Sequence, residues 1–290
     1  MRCQITVNRI SGIGLMCLAM FVLACMDAMS KHLAAHYPIS QILAVRFWLF
    51  SGFAVLIFGR GRLREALRTD HFWLQIVRSL VIACEVAVFV LAFRYLPLAE
   101  VHAIAGIAPL LVTALAVPFL GERVGIRRWL AVLAGFVGLL VILRPGLKVF
   151  EPAALIPLAG ASLWAVYQLL VRTTSSDSAA TMLLYTSLVG AVVTGLIAPF
   201  QWIAPDAQGW VLLVALGIVG SLGHWLLIRA IQSAPASSLQ PFHYTILLWA
   251  TLVGYLVFDE LPDGWTIAGA CIIVSGGLYA WQRERRVASA

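Results

Sequence analysis

Five ionisable side chains stand inside long apolar runs of this 290-residue sequence: Asp27, Arg46, Arg78, Glu85 and Glu100. Three histidines, His102, His224 and His243, sit in similar surroundings. A charge in hydrocarbon costs about 2.5–3.5 kcal/mol on insertion scales, so such groups turn inward and find partners. The chemistry open to them is ion pairing, proton binding and solute recognition. A helical rise of about 1.5 Å per residue puts Arg46 and Glu85 at one level, with Asp27 slightly nearer the outer face. Arg46 is therefore expected to pair with Glu85 or Asp27, either to lock helices together or to serve transport. Arg78 lies seven residues before Glu85 on the same helical face and is expected to snorkel to the inner surface or to anchor a helix. Glu100 and His102 read as rim groups at the outer start of their helix.

A second set combines flat rings with hydrogen-bonding tips. Trp164, Tyr167 and Gln168 share one helical face through i+3 and i+4 spacing. His224 follows in a later run, and Gln240, His243 and Tyr244 cluster around Pro241. Such an aromatic face suits a flat or heterocyclic solute. The candidate solute-binding set is Trp164, Tyr167, Gln168, His224, Gln240, His243 and Tyr244. Asp27, Arg46, Arg78 and Glu85 are the candidate charge network or coupling set. Trp202, Trp210, Trp265 and Trp281 stand near run ends and read as interfacial belt residues. Pro241 predicts a kinked half-turn absent from the first half of the chain, where Ala103 takes its place.

Other chemistries lack their residues. There is no G-x-x-x-x-G-K-[ST] for ATP hydrolysis, and no H-E-x-x-H or G-x-S-x-G. The five cysteines form no C-x-x-C and read as small buried hydrophobes. No metal, no cofactor and no enzymatic activity are expected, and a membrane-embedded enzyme is the remote alternative.

These residues need elements that hold them in lipid. The chain is 62% hydrophobic and 11% charged, which a soluble core of this size cannot accommodate. Runs of about 20 apolar residues span a bilayer. Ten such runs are read: roughly 10–30, 39–58, 72–93, 97–119, 127–143, 153–172, 180–203, 210–230, 235–258 and 265–282. The first has arginines before it but no small-residue cleavage site, so it reads as a span and not as a signal peptide. Of the 20 Lys and Arg, Lys31, Arg94, Arg144 and Lys148 fall on one side and Arg46 and Arg78 within spans; the rest fall on the side of the N-terminus. That bias places both termini in the cytoplasm of a multi-pass inner-membrane protein. The net charge of +7 is thus a topology signal, and no nucleic-acid partner is expected. Gly135–Gly138 and Ser275–Gly277 allow close backbone approach and mark scaffold or homodimer faces.

The halves can be overlaid. An offset of 138 matches Pro97 with Pro235, Leu110 with Leu248, Thr113 with Thr251, Glu122 with Glu260 and Gly138 with Gly276. Nearer the start of each half the offset is 141, and Asp27 meets Gln168 while Lys31 meets Arg172. Two units are expected, 1–148 and 149–290. Five spans each is an odd number, so the second unit is inverted, as in many secondary transporters. The fold class expected is an all-α integral membrane protein with ten helices in two inverted five-helix repeats.

The sequence "AFRYLPLAE" entering the fourth span and "PFLGERVGIRRWLAVLAGFVGLLVILRPG" closing it resemble the EamA branch of the drug/metabolite transporter superfamily. "MDAMSKHLAAHYPISQILAVRF" and "PFHYTILLWATLVGYLVFDELPDGWTIAGA" are similar to a subgroup with riboflavin and S-adenosylmethionine transporters. The resemblance implies a secondary transporter working by alternating access between lipid-embedded repeats. Riboflavin or a similar flat solute is the leading substrate. S-adenosylmethionine, an amino acid or a drug-like compound, imported or exported, is the alternative.

Overall fold

A computed structural model describes residues 9–121, 125–143, 152–174, 176–233, 239 and 242–288. Every regular element among them is helical. We number the α-helices α1 (Arg9–Ala34), α2 (Ile39–Ala66), α3 (Phe72–Ala92), α4 (Leu98–Ala105), α5 (Ala108–Leu120) and α6 (Ile126–Leu143). After a 3-10 turn at Pro152–Ala154 come α7 (Leu155–Thr173), α8 (Ala179–Ile197), α9 (Ala207–Ser233), α10 (Thr245–Phe258) and α11 (Gly264–Ala288).

Among the described residues, seven segments are long and apolar enough to cross a membrane: Gly12–Ala34, Ile39–Leu56, Phe72–Ala92, Leu98–Phe119, Pro152–Thr173, Ala180–Gln201 and Ala207–Leu227. The remaining expected spans appear as shorter apolar stretches, Val132–Leu143, Thr245–Phe258 and Gly264–Tyr279. The molecule is a multi-pass membrane protein whose outer surface explains its composition. Leu56, Trp73, Phe119 and Phe200 are among many large apolar side chains left open, the last at 88%. Lipid tails cover such a surface at no cost, whereas water does not.

The fourth span is broken. Pro109 carries no N–H for the carbonyl four residues back, and its ring crowds that carbonyl. The helix stops at Ala105, turns through Gly106 and Ile107, and resumes at Ala108. A three-residue-back bond, Leu110 N–H to Ile107 O at 2.9 Å, restarts it. A similar turn at Tyr244 lies ahead of α10, with Leu247 N–H donating to Tyr244 O at 3.1 Å. Tyr244 matches Gly106 in the 138-residue register. The expected asymmetry is thus corrected: both spans break at the same register position, because Pro109 acts in the first. Pro241 itself, with Gln240, lies outside the described residues.

The two spans also end alike. Gly121 (φ 66°) and Asp259 (φ 56°) both adopt the left-handed conformation at the helix C-cap, again at matching positions. Gly has no Cβ to strain there, and Asp is among the residues that tolerate it. The reversal leads α10 towards Glu260, whose N–H donates to Gly254 O at 3.2 Å in a Schellman pattern.

Packing pairs helices across the halves. α1 lies on α9, α3 on α7, α2 on α8, α4 on α10 and α6 on α11. The α6–α11 contact is a backbone crossing. A Cβ at Gly138 would stand 2.8 Å from Gly269 O, and one at Gly269 would collide with Ile142. Three apolar cores result. One joins α3 to α7 with α10 and α11, another sits between α1, α2, α3 and α9, and a smaller one between α1, α9 and α10.

Candidate functional site

The polar side chains inside the spans fall into three layers. The outer layer closes one end of the bundle. Lys31, in the last turn of α1, donates to Glu260 beyond α10 at 2.6 Å and to Leu96 O at 3.0 Å. Its ammonium also stands 5.1 Å from the Phe258 ring centroid. Three oxygens, both of the Glu260 carboxylate and Leu96 O, and a ring face satisfy a largely buried cation that lipid would reject. Beside this contact a cavity of about 950 Å³ opens among the ends of α1, α3, α8 and α10, lined by Lys31, His32, Tyr37, Phe93, Arg94 and Phe258. In the sequence Lys31 and Glu260 stand in separate halves. Their shared position at one membrane face was the signal that could have joined them.

The middle layer draws on five elements. Asp27 of α1 is one turn below Lys31. Its Oδ2 lies 3.1 Å from His102 Nε2 of α4, within ion-pair distance but off the line of a hydrogen bond. Both side chains are mostly buried, at 14% and 12% exposure. His102 therefore points into the protein and is not the rim group expected. Arg46 of α2 stands within Coulombic range of both Asp27 and Glu85 of α3, without a direct ion pair to either. The expected pairing is thus replaced by a looser triangle. His224 of α9 joins it, in range of Arg46 and Asp27, with Nδ1 2.8 Å from Gly220 O and its ring 5.9 Å from Phe50. His243, just before α10, lies within Coulombic range of His102, and its side chain is exposed.

The inner layer is a bonded network. Arg78 of α3 is fully buried. It donates from Nε to Gln75 Oε1 at 2.9 Å, from NH1 to Tyr167 Oη at 3.2 Å and from NH2 to Met182 O at 2.8 Å. Two of these bonds tie α3 to α7 and α8, so of the two expectations for Arg78, snorkelling or helix anchoring, the structure shows anchoring. Gln75 continues the chain, donating to Asp177 Oδ2 at 2.6 Å, as Thr69 Oγ1 does at the same distance. Burial pushes the Asp177 carboxyl up, but these two donors together with the nearby His71 and Arg78 hold it below the ordinary aspartate value. Nothing in the sequence singled out Asp177. Its signal is only that both loops, 67–71 and 174–178, lie at one membrane face.

The aromatic set divides. Trp164 and Tyr167 stack on α7 with centroids 5.4 Å apart, and the Tyr167 ring also lies 5.5 Å from the Arg78 guanidinium carbon. Gln168 follows on the same helix, half-buried. Tyr244 turns away from the middle layer and rests on Gly277 of α11, its hydroxyl buried without a hydrogen-bond partner. So Asp27, Arg46, Glu85, His224 and His243 come together with His102. Arg78, Tyr167 and Trp164 form a neighbouring group, and Gln240 lies outside the described residues. Among the described residues no group of three His, Cys, Asp or Glu has metal-binding geometry.

Comparison with known proteins agrees with this architecture. The EamA-like transporter family matches residues 10–144 and again 152–280. A riboflavin transporter of Vibrio cholerae is 34% identical over 227 residues, 77% of this chain and 76% of that protein. An S-adenosylmethionine uptake transporter of Rickettsia felis is 28% identical over 281 residues, 97% of this chain and 95% of the other. A pseudopaline exporter of Pseudomonas aeruginosa is 27% identical over 269 residues, 91% and 93% of the two chains. A solved crystal structure with 22% identity superposes with a TM-score of 0.65 over 96% of this chain and 99% of its own, a likeness of fold. A family match that runs twice through a multi-pass helical bundle with polar groups buried at its centre leaves one assignment: the chain belongs to the EamA-like transporter family.

Proposed function

We propose that this transporter is a gradient-driven carrier of the bacterial inner membrane, with riboflavin or a similar flat heterocycle as its solute. One observation carries the reading: Asp27, Arg46, Glu85, His102 and His224 meet inside apolar spans, drawn from both halves of the chain. Groups so costly in lipid mark a solute or ion pathway. The stacked Trp164 and Tyr167 beside them offer ring faces to a flat ligand.

Alternating access between two inverted five-helix units, 1–148 and 149–290, is the mode that fits. Exchanging the units maps the α1–α9 contact onto α7–α3 and maps α2–α8, α4–α10 and α6–α11 onto themselves. The matched breaks at Gly106 and Tyr244 and the matched caps at Gly121 and Asp259 support the same register. In this reading α4 and α5 form one span, ten spans cross the membrane, and both termini are cytoplasmic.

A second solute, S-adenosylmethionine, is favoured by the two carboxylates that face one guanidinium in the middle layer, since a sulfonium cation would balance them. Uptake and counterflow of tritiated riboflavin and S-adenosylmethionine in proteoliposomes decide between them. Saturable riboflavin counterflow, weakened by Trp164→Ala, is the expected result. Counterflow of S-adenosylmethionine alone would hand the assignment to the cation.

A further inference from the structure

We infer that the Asp27–His102 pair binds one proton and releases it in each transport cycle. The inference rests on the transporter reading and adds the coupling ion to it.

The argument is a charge count in a medium that does not tolerate imbalance. Asp27 and Glu85 both lie within Coulombic range of Arg46. The other span cations nearby are committed. Lys31 is held by Glu260 and Leu96 O, and Arg78 by Gln75, Tyr167 and Met182 O. One guanidinium offsets one carboxylate, and the second needs another positive charge when the cavity holds no solute. An unbalanced carboxylate in low dielectric costs several kcal/mol or takes up a proton. His102 is the base placed to carry that proton. Its Nε2 is 3.1 Å from Asp27 Oδ2, and the atom is buried with no aligned hydrogen bond in this state. A buried, unaligned nitrogen beside a carboxylate gains a charge-assisted bond when the imidazole becomes imidazolium.

The surroundings favour exchange over permanent capture. On α1, Cys25 lies within range of Asp27. From α2 and α3 come Arg46 and Glu85, from α9 His224, and from the turn before α10 His243. Arg46 and Glu85 both lie within Coulombic range of Asp27, so the carboxylate of the pair faces one charge of each sign. From α7 comes Tyr167, already bonded to Arg78, and Cys271 and Tyr279 of α11 are turned outward. On α4 itself Glu100 stands two residues before His102, on a different helical face. The imidazole takes the proton from water on one side and returns it on the other, and no covalent bond to the solute forms. In the repeat register Gln168 and Gln240 stand where Asp27 and His102 stand, so the second half keeps hydrogen-bonding side chains but has no titratable pair.

Two measurements on the full-length protein test this. The first needs no solute. Infrared difference spectra of the purified protein between about pH 5 and 9, the range of histidine titration, should show coupled carboxylate and imidazole bands. Those bands should vanish in both Asp27→Asn and His102→Gln and persist in Asp27→Glu. Bands unchanged in both variants overturn the inference. The second uses tritiated riboflavin and S-adenosylmethionine in proteoliposomes with an imposed pH difference. For one proton per solute, accumulation should change by about tenfold per pH unit, because a pH unit is a tenfold ratio of proton activity. In Asp27→Asn and His102→Gln any residual transport should no longer respond to the gradient. Wild-type accumulation indifferent to pH, with either solute moving, also overturns it. If neither solute moves, the substrate reading fails and the spectra alone decide the proton site.

Discussion

Tyr244 carries its hydroxyl into a buried position with no hydrogen-bond partner, against the backbone of Gly277. An unpaired buried hydroxyl usually costs about 1–3 kcal/mol, and its persistence marks a shape that the packing needs. At Gly277 an added Cβ would collide with Tyr244 Oη and stand 2.8 Å from the ring carbon that bears it. Gly277→Ala is therefore expected to lower the stability of the detergent-solubilised protein by about 1–3 kcal/mol, the usual cost of overpacking. Tyr244→Phe removes the colliding oxygen together with the unpaired group. Combined with Gly277→Ala, it should recover a large part of the loss in a thermal-unfolding assay. An additive double variant would show that the two residues do not meet. The sequence places Tyr244 beside His243 in one polar cluster and says nothing of α11. A turn of backbone at Tyr244 is what separates the two side chains.

At the scale of elements, loops at one end of the bundle are stapled by a carboxylate. Asp177, between α7 and α8, accepts from Thr69 before α3 and from Gln75 within it, and Gln75 in turn accepts from Arg78. Because Asp177 titrates lower in the folded protein than its ordinary 3.8, its ionised form contributes stability. That contribution is complete above the unfolded value and is lost as pH falls through the folded one. Asp177→Asn should unfold at a lower temperature than wild type at neutral pH, and the gap should narrow only as the pH drops below about 4. A gap that closes well above that range would show that another group sets it. The helices themselves are readable in the sequence because hydropathy acts over whole turns, and one 20-residue run needs no knowledge of its neighbours. Which helices pair is different. Lys31 with Glu260 and Asp27 with His102 depend on how α1 sits against α10 and α4, and no local spacing encodes that. The break before α5 shows the same limit from the other side. Pro109 was visible, but it sat in a run apolar enough to read as one span.

The large cavity and the start of α1 lie on opposite sides of the whole molecule. The cavity of about 950 Å³ lies at the ends of α1, α3, α8 and α10 that carry Lys31, Arg94 and Gln201. In the sequence, most Lys and Arg are expected on the side opposite Lys31 and Arg94. If the termini are cytoplasmic, this structure is a state with its cavity open to the periplasm and its Arg78 network tight on the inner side. Access can then be read at Ala35, an exposed cavity-lining residue in the turn after α1. In a background with all five native cysteines replaced by Ala, Ala35→Cys should react with a membrane-impermeant maleimide added outside intact spheroplasts. A cysteine at Arg172, at the inner end of α7, should react only after the membrane is opened. Saturating transported solute should change the rate at Ala35→Cys, because a ligand shifts states only through unequal affinity for them. Outside labelling of Arg172→Cys instead would invert the topology, and with it the side on which the Lys31–Glu260 contact closes. A solute that moves through the protein without altering either rate would mean that the cavity is not part of its path.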